Sequence, residues 1–130
     1  MSIQLHTNEA PEFPLPFSQA LRAGDFIFVS GQVGVDPQTR KVIGETIEEQ
    51  TVQCLRNIGT ILNEAGLTLD HVVKINAYLL RAEDFPGYNK AYEEIMKRPF
   101  PARTSIGCSI GSYLVEIDAV AYAPSVRSGD

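Results

Sequence analysis

The stretch from Thr46 to Gly66 restricts the fold of this chain more than any other. Thr46-Ile47-Glu48-Glu49 has the form of a capping box, with a Thr hydroxyl for the third amide of a helix and a Glu reaching back. Behind it, apolar or small residues recur at 47, 51, 54, 55, 58, 61, 62 and 65, one face of a helix. Gly66 then supplies a residue able to turn left-handed and end it. A helix with one apolar face must lie on something, and the flanking segments show what. Their period is two. In the run His71–Leu80, Val73, Ile75, Ala77 and Leu79 share one face against Lys74, Asn76 and Tyr78. Phe26–Val29 is a short apolar run, read as a strand buried on both faces and ended by Ser30-Gly31-Gln32.

The rest of the chain repeats this alternation of periods. Asp84 reads as a helix N-cap with Pro86 in the first turn; Phe85, Tyr88, Tyr92, Ile95 and Met96 follow at helical spacing, and Pro99 and Pro101 stop the helix. In the last third, Arg103, Ser105, Gly107 and Ser109 alternate with Thr104, Ile106, Cys108 and Ile110. Gly111-Ser112 predicts a two-residue hairpin loop of the II′ kind, leading into Val115, Ile117, Ala119 and Ala121 on one face and Glu116 and Asp118 on the other. Residues 11–17, rich in proline, predict an extended loop; Gly34–Ile43 reads as loop, His6 lies in a loose terminus, and the tail after Ala123 is expected to fray. The order β-β-α-β-α-β-β predicts an α+β two-layer fold, a mixed β-sheet with two helices packed on one face, in one domain spanning residues 1–130. The sheet face away from the helices is predicted to carry Arg103, Ser105, Glu116 and Asp118 with Tyr78 and Val120. Charges of both signs there favour an interface between subunits over a face left to water.

Much chemistry is absent. No run approaches the roughly 20 apolar residues of a membrane span, and residues 1–13 lack the basic and apolar blocks of a signal peptide, so a cytoplasmic location is expected. The net charge of −5 and the scatter of Lys and Arg leave no basic stripe, so nucleic acid is not an expected partner. Cys54 and Cys108 form no CxxC motif and are read as reduced and structural; with His6 and His71 isolated, no metal site is expected. There is no phosphate-binding glycine loop and no GxSxG, so catalysis would rest on carboxylates, an arginine, hydroxyls and backbone amides.

The stretch PFPARTS is the candidate for this. Pro99 and Pro101 stiffen the chain before Arg103, whose planar fork suits a carboxylate as lysine's point charge does not. On the residues alone two readings stand for each group. Arg103 is an anion clamp or the ion-pair partner of Asp118. Glu116 is an acid–base group or a solvated strand residue. Ser30 and Gly31 are a pocket wall or a strand end. In the hairpin register Arg103 and Glu116 fall about 13 Å out of step. Either a bulge shifts the register or the site combines side chains of two subunits.

Phe17-Ser18-Gln19-Ala20, Val29-Ser30-Gly31-Gln32, Gln50-Thr51 with Asn57, Asn89 with Tyr92, Pro101-Ala102-Arg103 and Val115-Glu116-Ile117 stand in an order and spacing that resembles the Rid family (RidA/YjgF, reactive intermediate imine deaminases). The resemblance implies a chorismate-mutase-like domain assembled as a homotrimer with inter-subunit active sites. It implies a hydrolase that needs no cofactor and converts 2-imino or enamine acids (2-iminobutanoate, 2-iminopropanoate/2-aminoacrylate) to 2-oxo acids and ammonia. It assigns Arg103 to the substrate carboxylate and Glu116 to the attacking water, with Phe17, Ser30, Gly31, Asn89, Thr104 and Ser105 around the substrate. Phe17 stands where the family usually has tyrosine, Leu15-Pro16 where it has Gly-Pro, and Ser105 where it often has cysteine, and these departures bear on substrate range. The alternatives are a deaminase for a larger catabolic enamine acid of the aminomuconate or aminoacrylate type, or a non-enzymatic ligand-sensing, chaperone or translation-inhibitor role.

Overall fold

The computed structural model describes residues 2–124. Among them six strands form one mixed sheet: β1 (Ser2–Leu5), β2 (Ala20–Ala23), β3 (Phe26–Val33), β4 (Val72–Leu79), β5 (Ala102–Gly107) and β6 (Val115–Tyr122), in the order β1-β2-β3-β6-β4-β5. Helices α1 (Ile47–Asn63) and α2 (Phe85–Ile95) pack on one face. The α+β two-layer arrangement expected from the sequence is therefore present. The tail expected to fray lies, from Ser125 on, outside the described residues. Among the described residues no helix is long and apolar enough to cross a membrane.

α1 forms as its sequence dictates. The Thr46 hydroxyl accepts from the Glu49 amide at 3.1 Å, and the Thr46 amide donates to Glu49 Oε1. At the other end Gly66 has φ 74°, and the amides of Gly66 and Leu67 reach back to Asn63 and Leu62, the bond pair of a Schellman turn. Leu55, Ile58, Ile61 and Leu62 are buried against Ile27 and Val29 of β3, Ile75, Ala77 and Leu79 of β4, and Ile117 and Ala119 of β6. α2 begins with Pro86 in its first turn, but Asp84 makes no cap bond; its carboxylate is held by Arg81 Nε at 3.1 Å.

Four expectations need correction. The N-terminus is not loose: β1 pairs antiparallel with β2, and His6 Nε2 lies 2.7 Å from Glu12. Phe26–Val29 is buried on one side only, with Ile27 and Val29 inside and Phe28 49% exposed on the open face. β5 and β6 are not a hairpin. β5 pairs parallel with β4 at the edge of the sheet, while β6 lies between β3 and β4, antiparallel to both. Gly111 does turn at φ 70°, but residues 108–114 carry the chain past β4 to its far side. Finally, Arg103 and Ser105 do not share the open face with Glu116 and Asp118. They pair in register with Ile75 and Ala77, whose side chains are in the core, so they point toward the helices. Thr104 and Ile106 take the open face instead, Thr104 accepting from Lys74 Nζ at 3.0 Å.

Candidate active site

Arg103 leaves β5 beneath α2. Tyr88 and Tyr92, four residues apart, present adjacent rings on one side of that helix, with centroids 5.9 Å apart. The Arg103 guanidinium carbon lies 5.1 Å from the Tyr88 centroid and 4.8 Å from that of Tyr92. Such stacking on aromatic faces orients a guanidinium without using its hydrogen-bonding edge. Phe100, from the proline-flanked segment, packs on Tyr92 at 6.3 Å and carries Arg98 on its own face at 4.8 Å. Ser105 Oγ lies 3.1 Å from the Tyr88 hydroxyl. Beside the guanidinium is a cleft of about 290 Å³ walled by Asn89, Tyr92, Glu93, Phe100 and Pro101.

Among the described residues the charge on Arg103 is not answered: no carboxylate lies within ion-pair distance of it. Asp118, the alternative partner, sits on the other face and is held by Asn76 Nδ2 at 3.0 Å and the Tyr78 hydroxyl at 3.1 Å. Both tyrosines under Arg103 stay neutral. Burial raises the Tyr88 hydroxyl above its ordinary range, against the opposing pull of Ser105 and Arg103, and pushes Tyr92 up to about 12.

Glu116 lies elsewhere, on β6 and on the open face. Its cleft, about 370 Å³, is lined by Phe13, Leu15, Phe17, Ser30, Gly31, Val33 and Tyr113. Burial, and then the charge of Asp118, raise its carboxyl above the usual carboxylate range. The bulge in β3 between Val29 and Gln32 brings Gly31 against it: a Cβ on Gly31 would stand 2.6 Å from Glu116 Oε2. Ser30 is fixed at both ends, its hydroxyl donating to the Ser18 carbonyl at 2.6 Å and its amide to Gln19 at 3.0 Å.

The expected residues therefore fall into two groups. Arg103, Ser105 and Asn89 lie on the helix side at the β5 edge; Glu116, Ser30, Gly31 and Phe17 lie around the other cleft. Thr104 belongs to neither cleft. In the sheet register Arg103 pairs with Ile75 and Glu116 with Tyr78, two strands away. Their backbones are thus about 14 Å apart by strand spacing and rise, with side chains on opposite faces. Sequence reasoning missed the tyrosine seat, because aromatic residues at helical spacing read first as core. It also missed Phe13, Leu15 and Tyr113, which sit in segments without periodicity.

Comparisons with known proteins fit this architecture. The family described as Endoribonuclease L-PSP matches residues 7–123. A RutC family protein of Pyrococcus abyssi is 40% identical over 120 residues, covering 91% of this chain and 94% of that protein. Among solved structures, RidA from an Antarctic Psychrobacter superposes with a TM-score of 0.87 at 31% identity, covering 92% of this chain and 98% of the other. The YjgF gene product of E. coli does so with a TM-score of 0.85 at 29% identity and the same coverage, 92% and 98%. Matched along nearly its whole length, and in agreement with its sequence motifs, the chain belongs to the endoribonuclease L-PSP family, the group of the RutC, RidA and YjgF proteins.

Proposed function

We propose that the protein is a cofactor-independent deaminase that hydrolyses small 2-imino acids to 2-oxo acids and ammonia. The observation that carries this reading is the Arg103 guanidinium, seated on two tyrosine rings beside a cleft and, among the described residues, without a carboxylate partner. A planar fork held in this way takes a carboxylate through two parallel hydrogen bonds. The net charge of −5 offers no basic footprint for a polynucleotide, which favours a small anion over the ribonuclease activity the family description suggests.

The chemistry asks little more. Glu116 takes a proton from water as the oxygen attacks the imine carbon; the C–O bond forms and C=N becomes C–N. Glu116 returns that proton to nitrogen, giving a carbinolamine; it then takes the carbinolamine hydroxyl proton and passes it to nitrogen as C=O forms, the C–N bond breaks and ammonia leaves. A carboxyl with a raised pKa suits both halves of this exchange. Since the two clefts lie on opposite sides of the sheet, the working site pairs the Arg103 cleft of one chain with the Glu116 cleft of another. A chorismate-mutase-like homotrimer closes such head-to-tail contacts. The exposed Leu21, Phe28, Ile106 and Tyr122 support burial of the strand surface in that assembly.

The test is a coupled assay in which a threonine dehydratase supplies the imine and release of 2-oxobutanoate is followed. Arg103→Ala is expected to lower kcat/KM by at least about 100-fold, the weight of two hydrogen bonds to a charged group. If the wild-type protein gives no acceleration, or Arg103→Ala keeps its rate, the reading falls.

A further inference from the structure

Two tyrosines stand under Arg103, and among the described residues only one of their hydroxyls is partnered. That of Tyr88 meets Ser105 Oγ at 3.1 Å. Tyr92 is 4% exposed, and its hydroxyl makes no hydrogen bond with any described residue. A buried hydroxyl without a partner gives up its water for nothing, and folded proteins seldom keep one idle. Thr51 Oγ1 is in the same condition, but it belongs to α1 and its packing. Tyr92 differs because it walls the Arg103 cleft, with the guanidinium carbon 4.8 Å from its ring and Phe100 and Pro101 beside it.

An anion in that cleft has unmet needs of its own. A carboxylate offers about four lone-pair directions, and a bidentate guanidinium takes two of them. The cleft is otherwise walled by ring and carbon surface, Asn89 and the acidic Glu93, which repels an anion. We propose that the Tyr92 hydroxyl is a third donor to the ligand's carboxylate, which makes Tyr92 a binding residue beside Arg103. This rests on the reading of Arg103 as an anion clamp. With its pKa pushed up to about 12 by burial, the hydroxyl keeps its proton at neutral pH and is available to donate.

The assignment predicts opposite signs for stability and binding. In the free protein, Tyr92→Phe keeps the ring that supports Arg103 and removes only an unpaired group, so the melting temperature stays the same or rises. Tyr88→Phe breaks a made bond, and its melting temperature falls. Binding of 2-oxobutanoate, the product probe, is measured by calorimetric titration of the full-length protein. Tyr92→Phe is expected to weaken it roughly 10- to 100-fold, the weight of one hydrogen bond to a charged group. Unchanged affinity in Tyr92→Phe overturns the proposal while leaving the clamp intact. A melting temperature lowered as in Tyr88→Phe also overturns it, since the hydroxyl then has a structural partner. If the wild-type protein binds 2-oxobutanoate no better than Arg103→Ala, the clamp itself is wrong and the tyrosine assignment goes with it.

Discussion

Gly31→Ala tests the candidate carboxylate without touching it. Gly31 lies at the β3 bulge, and its φ is not positive, so alanine fits the backbone. Space is the constraint. The new methyl would stand 2.6 Å from Glu116 Oε2, 2.9 Å from Cδ and 3.1 Å from Cγ. Ordinary contact begins near 3.4 Å, so the carboxyl group must withdraw by about 0.8 Å. It is the free end of a flexible side chain at a cleft wall, and its withdrawal should cost no more than about 1 kcal/mol of stability. A catalytic group displaced by about 1 Å, by contrast, loses on the order of 100-fold in rate. In the coupled assay kcat should therefore fall roughly 10- to 100-fold. KM should change little, because the carboxylate is held by Arg103 in the other cleft. A thermal melt should show a shift of a few degrees at most. Wild-type kcat in this variant would refute the reasoning, because Glu116 would then have no position worth keeping. A large rise in KM with kcat intact would place the substrate itself, and not Glu116, against Gly31.

Two further outcomes follow from the same geometry. Burial and Asp118 raise the Glu116 carboxyl above its unfolded value, so the folded chain holds a proton that the unfolded chain has released between the two pKa values, and stability falls as pH rises through that window. Glu116→Gln should thus melt slightly higher than wild type at pH 7 and no higher near pH 4, while losing activity; equal melting temperatures at both pH values would count against a burdened carboxylate. Mixing inactive Arg103→Ala and Glu116→Gln chains, unfolding and reassembling them, should restore roughly a quarter of wild-type activity at equal amounts, since random closure of rings pairs an intact arginine with an intact glutamate at that frequency. No recovery would mean that both groups act from one chain.

The parts of this fold that were legible are those where one local rule decides. α1 was readable from Thr46 to Gly66 because capping box, apolar stripe and terminating glycine agree. The strands were readable as strands, since a period of two needs no knowledge of neighbours. Which strand lies beside which is a different question, and the Gly111-Ser112 turn answered it wrongly. The better signal was the sequence β4-α2-β5. A strand, a helix and a strand form a crossover that lays the second strand parallel to the first, and Lys74 to Leu79 do pair this way with Ala102 to Gly107. With β5 taken as the parallel partner of β4, β6 has to pair elsewhere. The face assignment failed for a related reason. Ile106 and Cys108 outweigh Arg103 and Ser105 in apolarity, so alternation alone turns the arginine outward. At an edge strand the rim under α2 is not core, and Tyr88 and Tyr92 give a guanidinium a place there that a hydropathy pattern does not register.

That misplacement bears on how such a site can exist at all. Had Arg103 and Glu116 faced each other across one hairpin, an exposed cation and a half-buried carboxylate at contact distance would have paired, and the pair would have occupied the hydrogen-bonding edge that a substrate needs. The carboxyl would then sit below its ordinary range and be a poorer base at neutral pH. On opposite faces of the sheet neither happens: the guanidinium rests on neutral rings, and the carboxyl is raised by burial and by Asp118. Under the proposed function the substrate itself, anionic at one end and electrophilic at the other, is what spans the two groups. Separation on the two faces of one sheet therefore keeps the clamp clear of this carboxylate and the base basic within each chain, which a face-to-face hairpin would not do.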